Sequence, residues 1–180
     1  MKTLPGAARS MLRYLRVCFK WLVLAVLVGC LTGPLGAAFG LALDWANETR
    51  GLHGWLLYLL PLGGLVIVFL YRHFDPNGGG STNQVFAAVR ERRVLTLRTA
   101  PLIFFSTVTT HLLGGSSGRE GAALLLGGSV SGQFGRLLRL DRHDCHLMTM
   151  CGMAGAFSAI FGTPLATTVF TIEVVNVGSM

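Results

Sequence analysis

The chain has 180 residues, of which 52% are hydrophobic and 13% charged, against about 25% charged in an ordinary soluble domain, and its mean hydropathy is +0.59. That composition excludes an ordinary soluble domain and fits a protein whose solvent is lipid. The net charge of +7 does not point to nucleic acid, because the basic residues precede an apolar run and do not gather beside aromatics on a polar face.

Residues 1–20 form a basic segment carrying Lys2, Arg9, Arg13, Arg16 and Lys20, with no acid before Asp44. This is the charge excess of a cytoplasmic amino terminus, which places the chain in the cell membrane with its start inside. Residues 21–180 then read as the membrane domain. The first apolar run, Trp21 to Leu43, is longer than a signal-peptide core and is interrupted by Gly33-Pro34, with no small-residue cleavage site at its end. It predicts an uncleaved first helix ending near Leu43 or Trp45. Asp44, Asn47, Glu48 and Arg50 would make a polar outer turn, and Trp55 with Tyr58 fits an interfacial aromatic belt. A second span, about Gly54 to Tyr71, returns to the cytoplasm.

The next segment runs Asp75-Pro76-Asn77-Gly78-Gly79-Gly80-Ser81-Thr82-Asn83 before a helical stretch from Gln84 to Arg93. A glycine-rich loop feeding a capped helix start is either a linker or a cradle of backbone amides for an anion. Pro101 to Leu113 predicts a helix broken at Gly114 and Gly115, and after Glu120 an apolar run resumes from Ala122 to Leu138. Arg136, Arg139, Asp141, Arg142, His143, Asp144 and His146 form a polar connection. The last apolar stretch, Leu147 to Val177, is cut by Gly162-Thr163-Pro164 into two half-helices. Charge-free runs such as Trp21–Leu43, Gly54–Tyr71, Thr99–Gly118 and Leu147–Ile172 are near the roughly 20 residues that a span needs. Small-xxx-small pairs such as Gly128 and Gly132 imply close helix contacts.

Helix breaks at membrane depth are tolerated only where the freed backbone is buried in protein or lines an aqueous cavity, so these breaks mark a transport site. Four cysteines, Cys18, Cys30, Cys145 and Cys151, include no CxxC pair and indicate neither a metal site nor a disulfide framework; they read as small packing residues. No cofactor is implied.

The most informative stretch is Gly114-Gly115-Ser116-Ser117-Gly118-Arg119-Glu120-Gly121. The first amides of a helix lack internal partners and carry about half a positive charge, so they can hold an anion. A carboxylate on the same segment can occupy that place itself, and protonating it favours its release. Glu120 would then be both gate and proton carrier; the plainer alternative is a solvated Arg119–Glu120 pair in a wet loop.

Gly115 to Gly121 resembles the GxxGREGP-type signature of the CLC chloride channels and proton-coupled anion antiporters. Gly152-Met153-Ala154-Gly155-Ala156-Phe157, continuing through Gly162-Thr163-Pro164-Leu165-Ala166 to Phe170-Thr171-Ile172-Glu173, is similar to that family's AAGLAAAFxAPLAGxxFxxEE stretch. The resemblance covers most of residues 20–177. It implies an all-α polytopic membrane protein with broken and re-entrant helices, corresponding to the first half of the CLC inverted repeat, the second half being absent.

By the same resemblance Glu120 matches the gating glutamate, and Gly118, Arg119, Gly121 and Ala122 line an anion site. The loop before Gln84 matches the family's GSGxP loop. Gly79, Gly80 and Ser81 are all candidates for its anion ligand, Ser81 being the one with a hydroxyl. Three departures stand out: Ala122 replaces the proline after GREG, GSGxP is not reproduced, and of the paired acids only Glu173 remains, followed by Val174. Glu173 is an accessory proton acid or a helix-end charge. These changes, with Thr109-Thr110-His111-Leu112, look more like the fluoride-exporting branch. The expected activity is chloride or fluoride transport, coupled to protons, as a homodimer or with a second half.

Two other readings compete. A chain about half the length of family members can be a non-transporting fragment or an assembly subunit. Gly114 to Gly118 also fits GxSxG, and Gly115 to Gly118 resembles the GxSG of intramembrane serine hydrolases, with His111 the nearest base.

Overall fold

A computed structural model describes the backbone of residues 6–74 and 98–176 and the side chains of residues 10–74 and 98–173. Within these residues the chain is helical: α1 (Gly6–Leu52), a 3-10 turn (Gly54–Leu59), α2 (Leu60–Phe74), α3 (Thr99–Leu112), α4 (Arg119–Leu137), α5 (Arg142–Phe161) and α6 (Pro164–Asn176). Of these, Ser10–Leu52 and Gly54–Phe74 are long and apolar enough to cross a membrane. The α3 and α6 helices, of 14 and 13 residues, reach only about 20 Å, short of the roughly 30 Å hydrocarbon layer.

The first helix differs from its expected form. It has 47 residues, keeps Pro34 inside, and carries on through Asp44, Asn47, Glu48 and Arg50, where a turn was predicted. Proline deletes one helical hydrogen bond and crowds the carbonyl four residues back, yet buried side chains anchor α1 on both sides of it. Leu24, Val28, Thr32, Phe39, Leu43 and Ala46 are all buried, at the three- and four-residue steps of a single helical face. Nothing from Asp44 to Arg50 breaks a helix, and Ala46 extends the buried face. The chain turns only after Gly51, where the His53 amide bonds to the Thr49 carbonyl at 3.1 Å.

The α4–α5 pair is the most extensive contact among the described helices. It is antiparallel: Gly135 faces Cys145, and Gly127 faces Gly152 and Ala156. A Cβ on Gly127 would overlap the Gly152 carbonyl, and one on Gly152 would overlap Ser131 Oγ. The backbones therefore touch where any other residue would hold them apart. The α1 helix runs parallel to α5, with Lys20 paired to Asp144 at one end. Further along, Thr32 meets Gly155, and Gly36 meets Ala156 and Ala159. The α6 helix folds back along α5, bringing Phe170 to 5.5 Å from Phe157 between ring centroids. The α2 and α3 helices are also antiparallel, since Gly63 meets Leu113 and the Tyr71 and Ser106 hydroxyls lie 3.3 Å apart.

Several hydroxyls bond backward into their own helix: Thr32 to the Val28 carbonyl at 2.9 Å, Ser131 to Gly127 at 2.6 Å, Thr149 to Cys145 at 2.9 Å and Thr167 to Thr163 at 2.7 Å. The Ser129 and Thr171 hydroxyls are buried without a partner. Cys145 packs as the sequence implies, whereas Cys18, Cys30 and Cys151 face outward, all four as free thiols.

Replacing Gly127 by Ala is expected to destabilise the chain by about 1–3 kcal/mol, the cost of overpacking a tight contact. Thermal unfolding in detergent checks this against Gly64→Ala, a site with open space for a Cβ and no expected loss.

Candidate functional site

The polar connection between α4 and α5 and the glycine-rich break between α3 and α4 lie at opposite ends of the bundle. The break is built by α3 closing on itself: the Leu113 amide bonds to the Thr109 carbonyl, Gly114 to His111 and Gly115 to Thr110, the last at 2.8 Å. Gly114 adopts φ +85°, a left-handed conformation that side-chain-bearing residues enter at a cost. The chain then runs without regular structure to Gly118, which caps α4 with φ −68° and ψ 119°.

Four charged or polar side chains collect at this break, two of them, Asp44 and Arg50, brought there by α1. Arg50, from the end of α1, lies over Gly114, its Nε 3.0 Å from the place a Cβ would take. Arg119, the first residue of α4, has Nη1 at 3.9 Å from Asp44 Oδ1 on α1, the Arg119 side chain partly and the Asp44 side chain well exposed. His111 Nε2 is 3.1 Å from the Ser117 carbonyl oxygen. Sequence reading placed Asp44 and Arg50 in a turn of their own; the longer α1 brings them to the break. The signal available was the absence of any helix breaker between Asp44 and Arg50.

Glu120 lies in the first turn of α4. Its Oε2 lies 3.5 Å from where a Cβ of Gly118 would be, so the carboxylate folds back over the capping residue at the positive end of the helix. Glu120 and Gly118 are exposed on this chain, Arg119 is half-buried, and Gly121 and Ala122 are buried. The helix start therefore has one face sealed into the bundle and one open.

Glu173 is not brought to the same place. It is exposed on α6, nine positions past Pro164 along a helix that packs on α5. Its neighbours Thr171 and Ile172 line a groove of about 400 Å³ with Ala25, Leu147 and Cys151, towards the Lys20–Asp144 end. Gly79, Gly80 and Ser81, the predicted anion loop, lie outside the described residues. His111, the nearest base to the GxSxG stretch, has its Nε2 on the Ser117 carbonyl oxygen, and among the described residues no hydrogen bond joins it to a serine hydroxyl.

Gly114→Ala is expected to lower stability by about 1–2 kcal/mol through its left-handed φ, with added crowding against Arg50 and Leu57. Gly118→Ala, with an ordinary φ and only Glu120 nearby, should melt like the parent; paired thermal unfolding curves check both.

The family profile described as voltage gated chloride channel matches residues 63–179. A chloride/fluoride channel protein of Pseudomonas syringae pv. tomato is 36% identical over 162 residues, covering 89% of this chain and 36% of that protein. An H(+)/Cl(-) exchange transporter ClcA of Cronobacter sakazakii is 35% identical over 171 residues, covering 84% and 36%. Among solved structures, a CLC-type fluoride/proton antiporter superposes with a TM-score of 0.78 at 33% identity, covering 84% of this chain and 38% of that one. The chain thus spans just over a third of the length of the curated relatives it matches.

Proposed function

This chain belongs to the voltage gated chloride channel family, a family of channels and transporters, and from that premise we propose that it forms part of a halide pathway gated by Glu120. The observation that carries the reading is the position of the carboxylate: Glu120 Oε2 folds back beside Gly118 at the start of α4, where a bound anion would also be drawn.

The chemistry is a competition for one place. The amides from Gly118 to Gly121 offer unpaired donors and about half a positive charge, with Ala122 in the turn behind them. With Glu120 ionised, its own carboxylate occupies the helix end. A halide enters when the carboxylate is displaced or protonated, so halide and proton movements become linked through one side chain. Arg119 adds positive charge at the mouth, its partner Asp44 too exposed and too distant to neutralise it fully. Gly79, Gly80 and Ser81 would supply the second set of anion ligands.

Glu173, on the α6 helix that returns towards the Lys20–Asp144 end, fits an accessory acid passing protons to and from the cytoplasmic side. With Arg13, Arg16 and Lys20 inside, α1 would run outward and the break between α3 and α4 would lie in its outer half. Fluoride is the preferred ion within this reading, because relatives named for fluoride include the chloride/fluoride channel protein and the fluoride/proton antiporter. Assembly as a homodimer, or with a further segment carrying the rest of the pathway, belongs to the same proposal.

In liposomes carrying the purified chain, halide efflux followed with chloride- and fluoride-selective electrodes should rise as pH falls. Glu120→Gln removes the competing charge and cannot cycle; halide binding should tighten on the order of tenfold, and efflux should lose its pH dependence. Efflux with the parental pH dependence in Glu120→Gln would remove Glu120 from the gating role.

A further inference from the structure

We propose that His111 is a positioning residue for the anion site: its ring fixes the peptide plane that carries the first amide of α4. The inference rests on reading Gly118 to Gly121 as anion-coordinating backbone.

His111 lies in the last turn of α3, half-buried, with Nε2 at 3.1 Å from the Ser117 carbonyl oxygen. A carbonyl can only accept, so Nε2 carries the proton and donates. The Ser117 carbonyl and the Gly118 N–H belong to one planar trans peptide and point in opposite directions. Drawing the carbonyl towards the α3 end therefore turns the Gly118 N–H away from it. Gly118 is the capping residue of α4, so that N–H heads the unpaired donors at the helix start.

The last turn of α3 holds this loop at both ends. The Thr110 carbonyl accepts from the Gly115 amide at 2.8 Å, and the His111 ring holds Ser117. Between these two bonds stands Ser116, and the flanking glycines give the backbone wide conformational freedom. Releasing the second bond would let the 117–118 peptide rotate while α3 and α4 stayed packed. Arg119 on α4 and Arg50 on α1 lie within electrostatic reach of the ring, so the tether is placed among the charges that surround the mouth.

Three variants separate a specific tether from general packing. A glutamine amide reaches about as far as Nε2, whereas an asparagine amide stops near the level of Nδ1. Hydrogen exchange of the 113–119 amides in the purified chain and halide efflux from liposomes are measured for His111→Ala, His111→Asn and His111→Gln. Alanine and asparagine are expected to speed exchange about two- to tenfold, the change one hydrogen bond allows, and to slow efflux by a similar factor. Glutamine should restore both to within about twofold.

Parental exchange and efflux in His111→Ala would overturn the proposal, as would asparagine rescuing as well as glutamine, or glutamine failing to rescue. Should alanine prevent folding, the glutamine and asparagine pair still decides. A parent chain that carries no halide defeats the transport reading, and the exchange measurements then decide the tether alone.

Discussion

The close approach of α4 and α5 is the contact on which the site depends. Gly127 and Gly152 bring two backbones together where a single Cβ would collide, and this contact fixes where α4 starts relative to the bundle. One face of that start, Gly121 and Ala122, is sealed by packing, while Gly118 and Glu120 stay open. A helix end placed this way is anchored on one side and open on the other.

Much of this arrangement was legible in the sequence because helix punctuation has a direct physical cause. Gly162-Thr163-Pro164 is a left-handed end (φ +67°) followed by a helix start with proline in its first position. The break at Gly114 and Gly115 was equally plain, and so was the placing of Arg119 and Glu120 at a helix start. The polar stretch from Arg142 to His146, expected as a connection, instead forms the first turns of α5, with Asp141 Oδ1 accepting from the Asp144 amide at 2.7 Å.

What escaped was tertiary. Polar residues from Asp44 to Arg50 resemble a loop when hydropathy is the guide, yet none of them stops a helix. Pro34 reads as an interruption until the buried residues on both sides of it are known. The convergence of Arg50, His111 and Arg119 joins positions far apart in the chain, and no local pattern announces it. Spacing likewise gave no sign that Glu120 and Glu173 would stand on helices separated by α5.

The hydroxyl bonds inside the helices bear on how such a chain is made. Thr32, Ser131, Thr149 and Thr167 each return their proton to a carbonyl of their own helix, leaving no donor that must wait for a neighbour. These four hydroxyls are thus satisfied before their helices meet, which suits insertion one segment at a time with docking afterwards. Among the described residues, Ser129 on α4 and Thr171 on α6 are buried without such a bond.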